Sequence, residues 1–115
     1  MIVQRYIDKP LLINKRKFDI RVYAMLVCTN GITRGYFYEE GYIRTSSKEY
    51  STSIDKLKNK FVHLTNDAIQ KTSQDYGRFE SGNKLTYRDF QEFIEKSEEI
   101  PEKFKRVVFS RDILP

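Results

Sequence analysis

A single cysteine, a single histidine and five scattered glycines leave this chain with few of the usual chemical signatures. Cys28 has no second cysteine with which to form a disulfide or a metal cluster, and it falls within an apolar stretch, so a reducing, intracellular setting is expected. His63 has no companion histidine and no HExxH pattern, which argues against a zinc site; a lone histidine is more often a satisfied structural residue than a base. The glycines form neither a dinucleotide fingerprint nor a Walker-type phosphate loop, and no serine sits in a GxSxG elbow. No apolar run approaches transmembrane length, and the N-terminus lacks the basic-then-apolar order of a secretory signal. Internal repeats and low-complexity tracts are absent as well.

What is present points to one folded unit suited to anionic partners. At 115 residues the chain makes at most one ordinary domain, and a 39% hydrophobic, 14% aromatic composition can support a core of that size. A net charge of +5 favours acidic partners: polyphosphate, nucleic acid or an acidic protein tail. Tyrosines and basic residues interleave at Tyr36, Tyr38, Tyr42 and Arg44, but no basic stripe or RNA-binding signature accompanies them. Neither a nucleic-acid partner nor a membrane is therefore expected.

The most informative stretch is Lys17 to Leu26, where apolar residues at 18, 20, 22, 24 and 26 alternate with others. Strict alternation marks a half-buried strand, because successive side chains point to opposite faces. Phe18, Ile20 and Val22 are then expected to enter a core, while Lys17, Asp19 and Arg21 line the other face as cation, anion, cation. At ~3.3 Å per residue that row spans roughly 13 Å, about the reach of an extended nucleotide from ribose to terminal phosphate. A floor for an anionic ligand is one reading. A solvated ladder of cross-strand ion pairs is the other, and these residues alone support both equally.

Around this strand the pattern predicts a four-stranded antiparallel meander. Ile2–Ile7 is β-rich and stops at Pro10; Asn30-Gly31 makes a tight hairpin between strands 17–28 and 33–39; Glu40-Gly41 turns into a fourth strand, Tyr42–Ser46. Residues 47–60 read as a loop with at most a helical turn near Ile54–Leu57. Thr86 with Asp89 resembles a capping box, and Tyr87, Phe90, Phe93 and Ile94 recur at helical spacing, which predicts a helix over about 87–97 with Glu92 and Lys96 paired. Pro101 breaks it, and Glu102–Pro115 is ambiguous between a short amphipathic helix and a frayed tail. The segment Phe61–Asn66 gathers His63, Thr65 and Asn66 behind two apolar residues; taken alone it favours a helix cap at Thr65 or Asn66. The fold class is α+β, an antiparallel sheet with flanking helices.

Several blocks taken in order resemble one family. Val3-Gln4-Arg5-Tyr6-Ile7-Asp8-Lys9-Pro10-Leu11-Leu12-Ile13, Lys17-Phe18-Asp19-Ile20-Arg21, Gly41-Tyr42-Ile43-Arg44-Thr45-Ser46-Ser47 and His63-Leu64-Thr65-Asn66 are similar to consecutive blocks of the tubulin tyrosine ligase and ligase-like family. Asp75-Tyr76-Gly77-Arg78-Phe79-Glu80 with Gly82-Asn83 extends the match, so that it covers roughly residues 2–95. Arg44-Thr45-Ser46-Ser47 and Tyr76–Glu80 look more like the tyrosine ligase than the glutamylases or glycylases.

The resemblance implies part of an ATP-grasp fold, whose members activate a carboxylate as an acylphosphate for attack by an amine. It implies an adenine hinge at Gln4, Arg5, Tyr6 and Ile7, ribose and phosphate contacts at Lys17 and Asp19, and phosphate or acceptor-carboxylate contacts at Arg21 and Arg44 as catalytic groups. His63, Thr65 and Asn66 would line the nucleotide side of the cleft. ATP and Mg²⁺ are the implied cofactors, with the metal ligands expected outside this chain, and the acidic tails of tubulin the implied partner. A cytoplasmic, cytoskeletal or ciliary setting goes with that partner. The N-terminal lobe with its phosphate-binding lysine and the later metal-binding block have no counterpart here. Residues 1–115 are therefore expected to be a partial ligase domain, from a truncated gene model or a degenerate copy, inactive alone. The alternative is a non-catalytic module of the same fold that binds nucleotide or an acidic protein.

Overall fold

The structure is a computed structural model that describes residues 1–98, 100–105 and 112. Its elements are β1 (Leu12–Ile13), β2 (Arg16–Thr29), β3 (Ile32–Glu49), α1 (Lys60–His63), α2 (Asp67–Gln70), a 3₁₀ turn at Ser81–Asn83, β4 (Lys84–Leu85), α3 (Tyr87–Lys96) and α4 (Glu102–Lys105). The strands form one sheet in the order β1-β2-β3-β4, consistent with an α+β class. Two-residue turns set its registers. Asn30 and Gly31 both have positive φ (51° and 76°), as do Asn14 and Lys15 (47° and 61°), the requirement of the tight turns that match strand twist.

Two compact units divide the chain: Met1–Phe18 with Thr45–Asn83, and Asp19–Arg44 with the chain from Lys84. In the first, β1 pairs with the start of β2 (Leu12↔Lys17, Ile13↔Arg16), and Tyr50 N–H donates to the Lys15 carbonyl (2.8 Å). Ile13 and Val62 are buried, but so are Arg16, Thr45, Ser46, Ser47, Gln70 and Asn83, a core held by polar groups as much as apolar ones. In the second unit β3 pairs with β4 (Ile43↔Leu85, Arg44↔Lys84), and Ile43, Phe90, Ile94 and Ile100 are buried. Helix α3 packs on β4 and α4. The expected capping box closes it: Thr86 Oγ1 accepts from Asp89 N (3.1 Å), and Asp89 Oδ2 accepts from Thr86 N (3.1 Å). Lys96 pairs with Glu92 at 3.1 Å, and the helix ends at Lys96, before Pro101. Of the ambiguous C-terminal stretch, α4 is helical, and residues 106–111 and 113–115 lie outside the described residues.

Three expectations are corrected. Residues 1–7 belong to no element and are exposed; β propensity makes a strand only where an edge is available to pair with, and none takes this segment among the described residues. Gly41 is not a turn. β3 runs unbroken from Ile32 to Glu49, and the glycine is there because a Cβ would lie 2.2 Å from both the Arg21 carbonyl oxygen and the Tyr87 hydroxyl. The last two strands of the expected meander are therefore one. Finally, the alternation in β2 does not carry its apolar set into a core beyond Ile20. Phe18 and Ile20 are half-buried, but residues 21–36 are all exposed, Leu26 and Ile32 to 78% and 61%. Alternation reports which residues share a face, not what covers that face. Cys28 is exposed in the same hairpin.

An apolar hairpin exposed on this scale, Val22, Met25, Leu26, Ile32, Tyr36 and Tyr38 included, exceeds what small monomers normally show. The purified chain is expected to self-associate or bind an amphiphilic dye. A concentration-independent monomer with no dye signal and a sharp, high-temperature transition would contradict this.

Candidate functional site

The first unit is organised around Arg16. Its side chain, 1% exposed, forks onto Glu80: Nη1 donates to Oε2 at 2.9 Å and Nη2 to Oε1. Nη1 also donates to Thr45 Oγ1 and the Ser46 carbonyl, both at 3.2 Å, and the guanidinium lies 4.2 Å from the centre of the Phe79 ring. Thr45 Oγ1 in turn donates to Glu80 Oε2 (2.8 Å). Beside this pair, Asn83 Nδ2 donates to the Thr45 carbonyl (3.1 Å) and Ser47 Oγ (3.0 Å), while its Oδ1 accepts from Gly77 N (2.7 Å). Gln70 Oε1 accepts from Ser47 N (2.8 Å) and Oγ (2.5 Å), and its Nε2 donates to the Leu64 carbonyl. The loop 75–83 can deliver Glu80 and Asn83 because Gly77, Gly82 and Asn83 take positive φ (74°, 60° and 53°), conformations open to Gly and Asn. Lys48 and Arg78 (3.2 Å) hold Asp75 at its edge, and the Lys48 hydrogen bond keeps the Asp75 carboxyl below the usual range.

On that frame Lys17, Tyr6 and His63 converge. Lys17 is fixed by its pairing with Leu12 in the sheet and by its N–H, which donates to the Ser46 hydroxyl (3.1 Å). Its ammonium donates to the His63 carbonyl (3.1 Å) and Tyr6 Oη (3.3 Å) and lies 4.9 Å from the Tyr6 ring centre. His63 ends α1, whose start is capped by Asn59 Oδ1 accepting from Phe61 N (3.0 Å). Its Nε2 stands 3.2 Å from the Lys56 carbonyl, which can only accept, so Nε2 carries the proton. In the neutral ring Nδ1 is then the acceptor for the Tyr6 hydroxyl at 3.0 Å. The result is a directed chain, Lys17 to Tyr6 to His63 to the Lys56 carbonyl. Tyr50 packs edge-on to His63 (5.7 Å) and donates to the Asp8 carbonyl (2.9 Å), and burial pushes its phenol up.

In the second unit Asp19 and Arg44 form the cross-strand pair. Arg44 Nε lies 2.9 Å and 3.2 Å from the two carboxylate oxygens, and Nη2 2.5 Å from Oδ2. Arg21 is exposed and shares its face with Tyr23 and Tyr42; the Tyr42 hydrogen bond is the main cause of a raised Tyr23 pKa, opposed by the charges of Arg21 and Arg44. The ion-pair reading of the β2 row thus holds for Asp19, and the fork of Arg44 already grips a carboxylate.

The remaining expected residues divide. Gln4, Arg5 and Ile7 are exposed beside the anchored Tyr6. Thr65 is buried; Asn66 is the N-cap of α2 but makes no side-chain cap bond, its carbonyl accepting from Ile69 and Gln70 N–H instead (3.0 and 2.9 Å). Sequence reasoning missed Arg16, Gln70 and the roles of Glu80 and Asn83. Glu80, Asn83 and Thr45–Ser47 sat in blocks that carried the resemblance, which was a usable signal; Gln70 had none.

Comparison with known proteins matches the tubulin-tyrosine ligase family over residues 1–111. Among relatives, the chain is 43% identical over 101 residues to tubulin glycylase 3D of Tetrahymena thermophila, covering 85% of this chain and 10% of that protein. It is 38% identical over 94 residues to a probable alpha-tubulin polyglutamylase Ttll1 of the same organism (82% and 22%), and 43% identical over 74 residues to tubulin polyglutamylase ttll-4 of Caenorhabditis elegans (64% and 12%). The chain thus spans 10%, 22% and 12% of the length of these three. The match takes in the Lys17 anchor, the Asp19–Arg44 pair and the loop that presents Glu80, and on it this chain belongs to the tubulin-tyrosine ligase family.

Proposed function

We propose that the chain carries nucleotide-side residues of an ATP-dependent, ATP-grasp ligase that adds an amino acid to the acidic tails of tubulin. One observation carries this reading: an ammonium, a phenol and an imidazole from three separate segments converge next to an exposed stretch, Gln4–Ile7, that has backbone groups to offer a base. Tyr6, 48% exposed, presents a ring face for packing, and Lys17 supplies a point charge for a phosphate oxygen. His63, its Nδ1 3.0 Å from the Tyr6 hydroxyl, holds that phenol in place. In the second unit Arg21 is the exposed cation for a phosphate or carboxylate, and Arg44 orients Asp19 for hydroxyl groups. ATP when bound supplies the phosphoryl group that activates a carboxylate, and Mg²⁺ is expected to take its ligands from outside these residues. The names of the relatives support glycine or glutamate as the transferred amino acid, against the tyrosine suggested by the short blocks.

A second reading, a module of the same fold without chemistry that binds an acidic partner, draws on the Asp19–Arg44 fork, which can serve the sheet alone.

Calorimetric titration with ATP and ADP, with and without Mg²⁺, tests the proposal. Weak binding is expected, nearly equal for the two nucleotides and indifferent to the metal. Lys17→Met removes a charge-assisted contact of about 1.5–3 kcal/mol and should weaken it by roughly ten- to a hundredfold. No binding at all would contradict the assignment; tight, magnesium-dependent preference for ATP would contradict only the expectation that the metal takes its ligands from elsewhere.

A further inference from the structure

We infer that Glu80 is a positioning residue for Lys17: by forking the buried Arg16 guanidinium it fixes the β2 backbone from which Lys17 reaches Tyr6 and His63. This rests on Lys17 as a nucleotide contact only for its functional meaning; the geometry stands by itself. Arg16 and Lys17 are neighbours at the start of β2, so their side chains leave opposite faces of one strand. Everything that holds Arg16 therefore also fixes the origin of Lys17. The holding is dense: two oxygens of Glu80, Thr45 Oγ1, the Ser46 carbonyl and the Phe79 ring. Glu80 is the only anion in that set. Without it a guanidinium with 1% exposure would keep its charge in a pocket of neutral acceptors. The easiest relief is to move the Arg16 end of the strand toward water. Lys17 is the residue that moves with it, because its own N–H is tied to Ser46, the same residue whose carbonyl receives Arg16.

The carboxylate would thus act on the site through 64 residues of sequence separation and without touching any ligand. The Glu80 side chain is 10% exposed, Lys17 is half-buried, and Tyr6 is the member of the group that opens to solvent. A merely structural Glu80 would lower stability and leave the Lys17 ammonium where it is in every molecule that still folds. A positioning Glu80 would displace it in molecules that remain folded.

Lysine side-chain NMR separates these. The Lys17 ammonium lies 4.9 Å from the Tyr6 ring centre, so its ε-methylene protons should resonate upfield of the ordinary lysine position, and Tyr6→Leu tells that signal from the one of Lys84, which lies 5.6 Å from the Tyr42 ring centre, by abolishing it. In Glu80→Gln, with the amide spectrum still dispersed, the signal is expected to return to the ordinary lysine position. Retention of the upfield signal in a folded Glu80→Gln chain would overturn the inference. Should that variant not fold, Glu80→Asp decides: it keeps the charge but draws the carboxylate back by one methylene from the two Arg16 nitrogens, so a reduced shift supports the inference and an unchanged one overturns it. Addition of ATP to the unmodified chain provides the separate arm. A Lys17 signal indifferent to ATP would refute the nucleotide reading while leaving the positioning of Lys17 by Glu80 intact.

Discussion

Replacing Glu80 with leucine should lower the unfolding free energy by about 3–5 kcal/mol, the usual consequence of stranding one partner of a buried ion pair. Arg16 cannot relieve the strain by losing its proton, since guanidinium stays charged in proteins, and at 1% exposure it reaches water only by displacing its end of β2. The double replacement Arg16→Met with Glu80→Leu should recover most of the loss, because two apolar side chains of similar volume need no counter-charge. Urea unfolding of the single and double variants measures both. A single-variant loss below about 1 kcal/mol, within the range of exposed pairs, would show that Arg16 is solvated and the pair is a surface bridge.

Gly41→Ala is the second large expected effect. The new methyl would meet the Arg21 carbonyl oxygen and the Tyr87 hydroxyl, each at 2.2 Å, and the first of these is backbone that cannot rotate away. Overpacking of this kind costs about 1–3 kcal/mol, and a contact this short places it at the upper end. The damage should be confined to the second unit: amides of β3 near Gly41 should exchange faster, with those of Thr45–Ser47 unchanged. Tyr87→Phe should rescue little, since it removes the hydroxyl and leaves the carbonyl. Normal stability of Gly41→Ala would mean that β2 and β3 are farther apart here than described.

These two residues also show where sequence reading stops. Helix α3 was legible because its cap, its apolar spacing and its Glu92–Lys96 pair are all local, lying within one or two turns of one another. The Asn30-Gly31 turn was legible for the same reason: positive φ at two adjacent residues has a residue signature. Gly41 was misread because a glycine in a polar stretch signals a turn, whereas here it marks a close approach of β2 and Tyr87, which sequence spacing does not encode. Arg16 and Glu80 lie 64 residues apart and show no periodicity, so nothing in the pattern could pair them.

The candidate site divides along the same line. Lys17, Asp19 and Arg21 were visible as alternating charges in a strand, whereas Tyr6, His63 and Arg44 entered only through the family resemblance, which does not say that Tyr6 and His63 hold Lys17 and Arg44 holds Asp19. Even the burial of β2 was only half readable. The apolar set was correctly placed on one face, yet residues 21–36 remain exposed, because alternation says nothing of whether another layer is present.

Titration of ATP into isotopically labelled chain, followed residue by residue by NMR, tests most directly whether Lys17, Tyr6 and His63 form a nucleotide site. The expected result is a set of shifts concentrated on Gln4–Ile7, Lys17 and His63 that disappears in Lys17→Met. Shifts confined to the exposed hairpin, shifts that survive Lys17→Met unchanged, or none at all would contradict it.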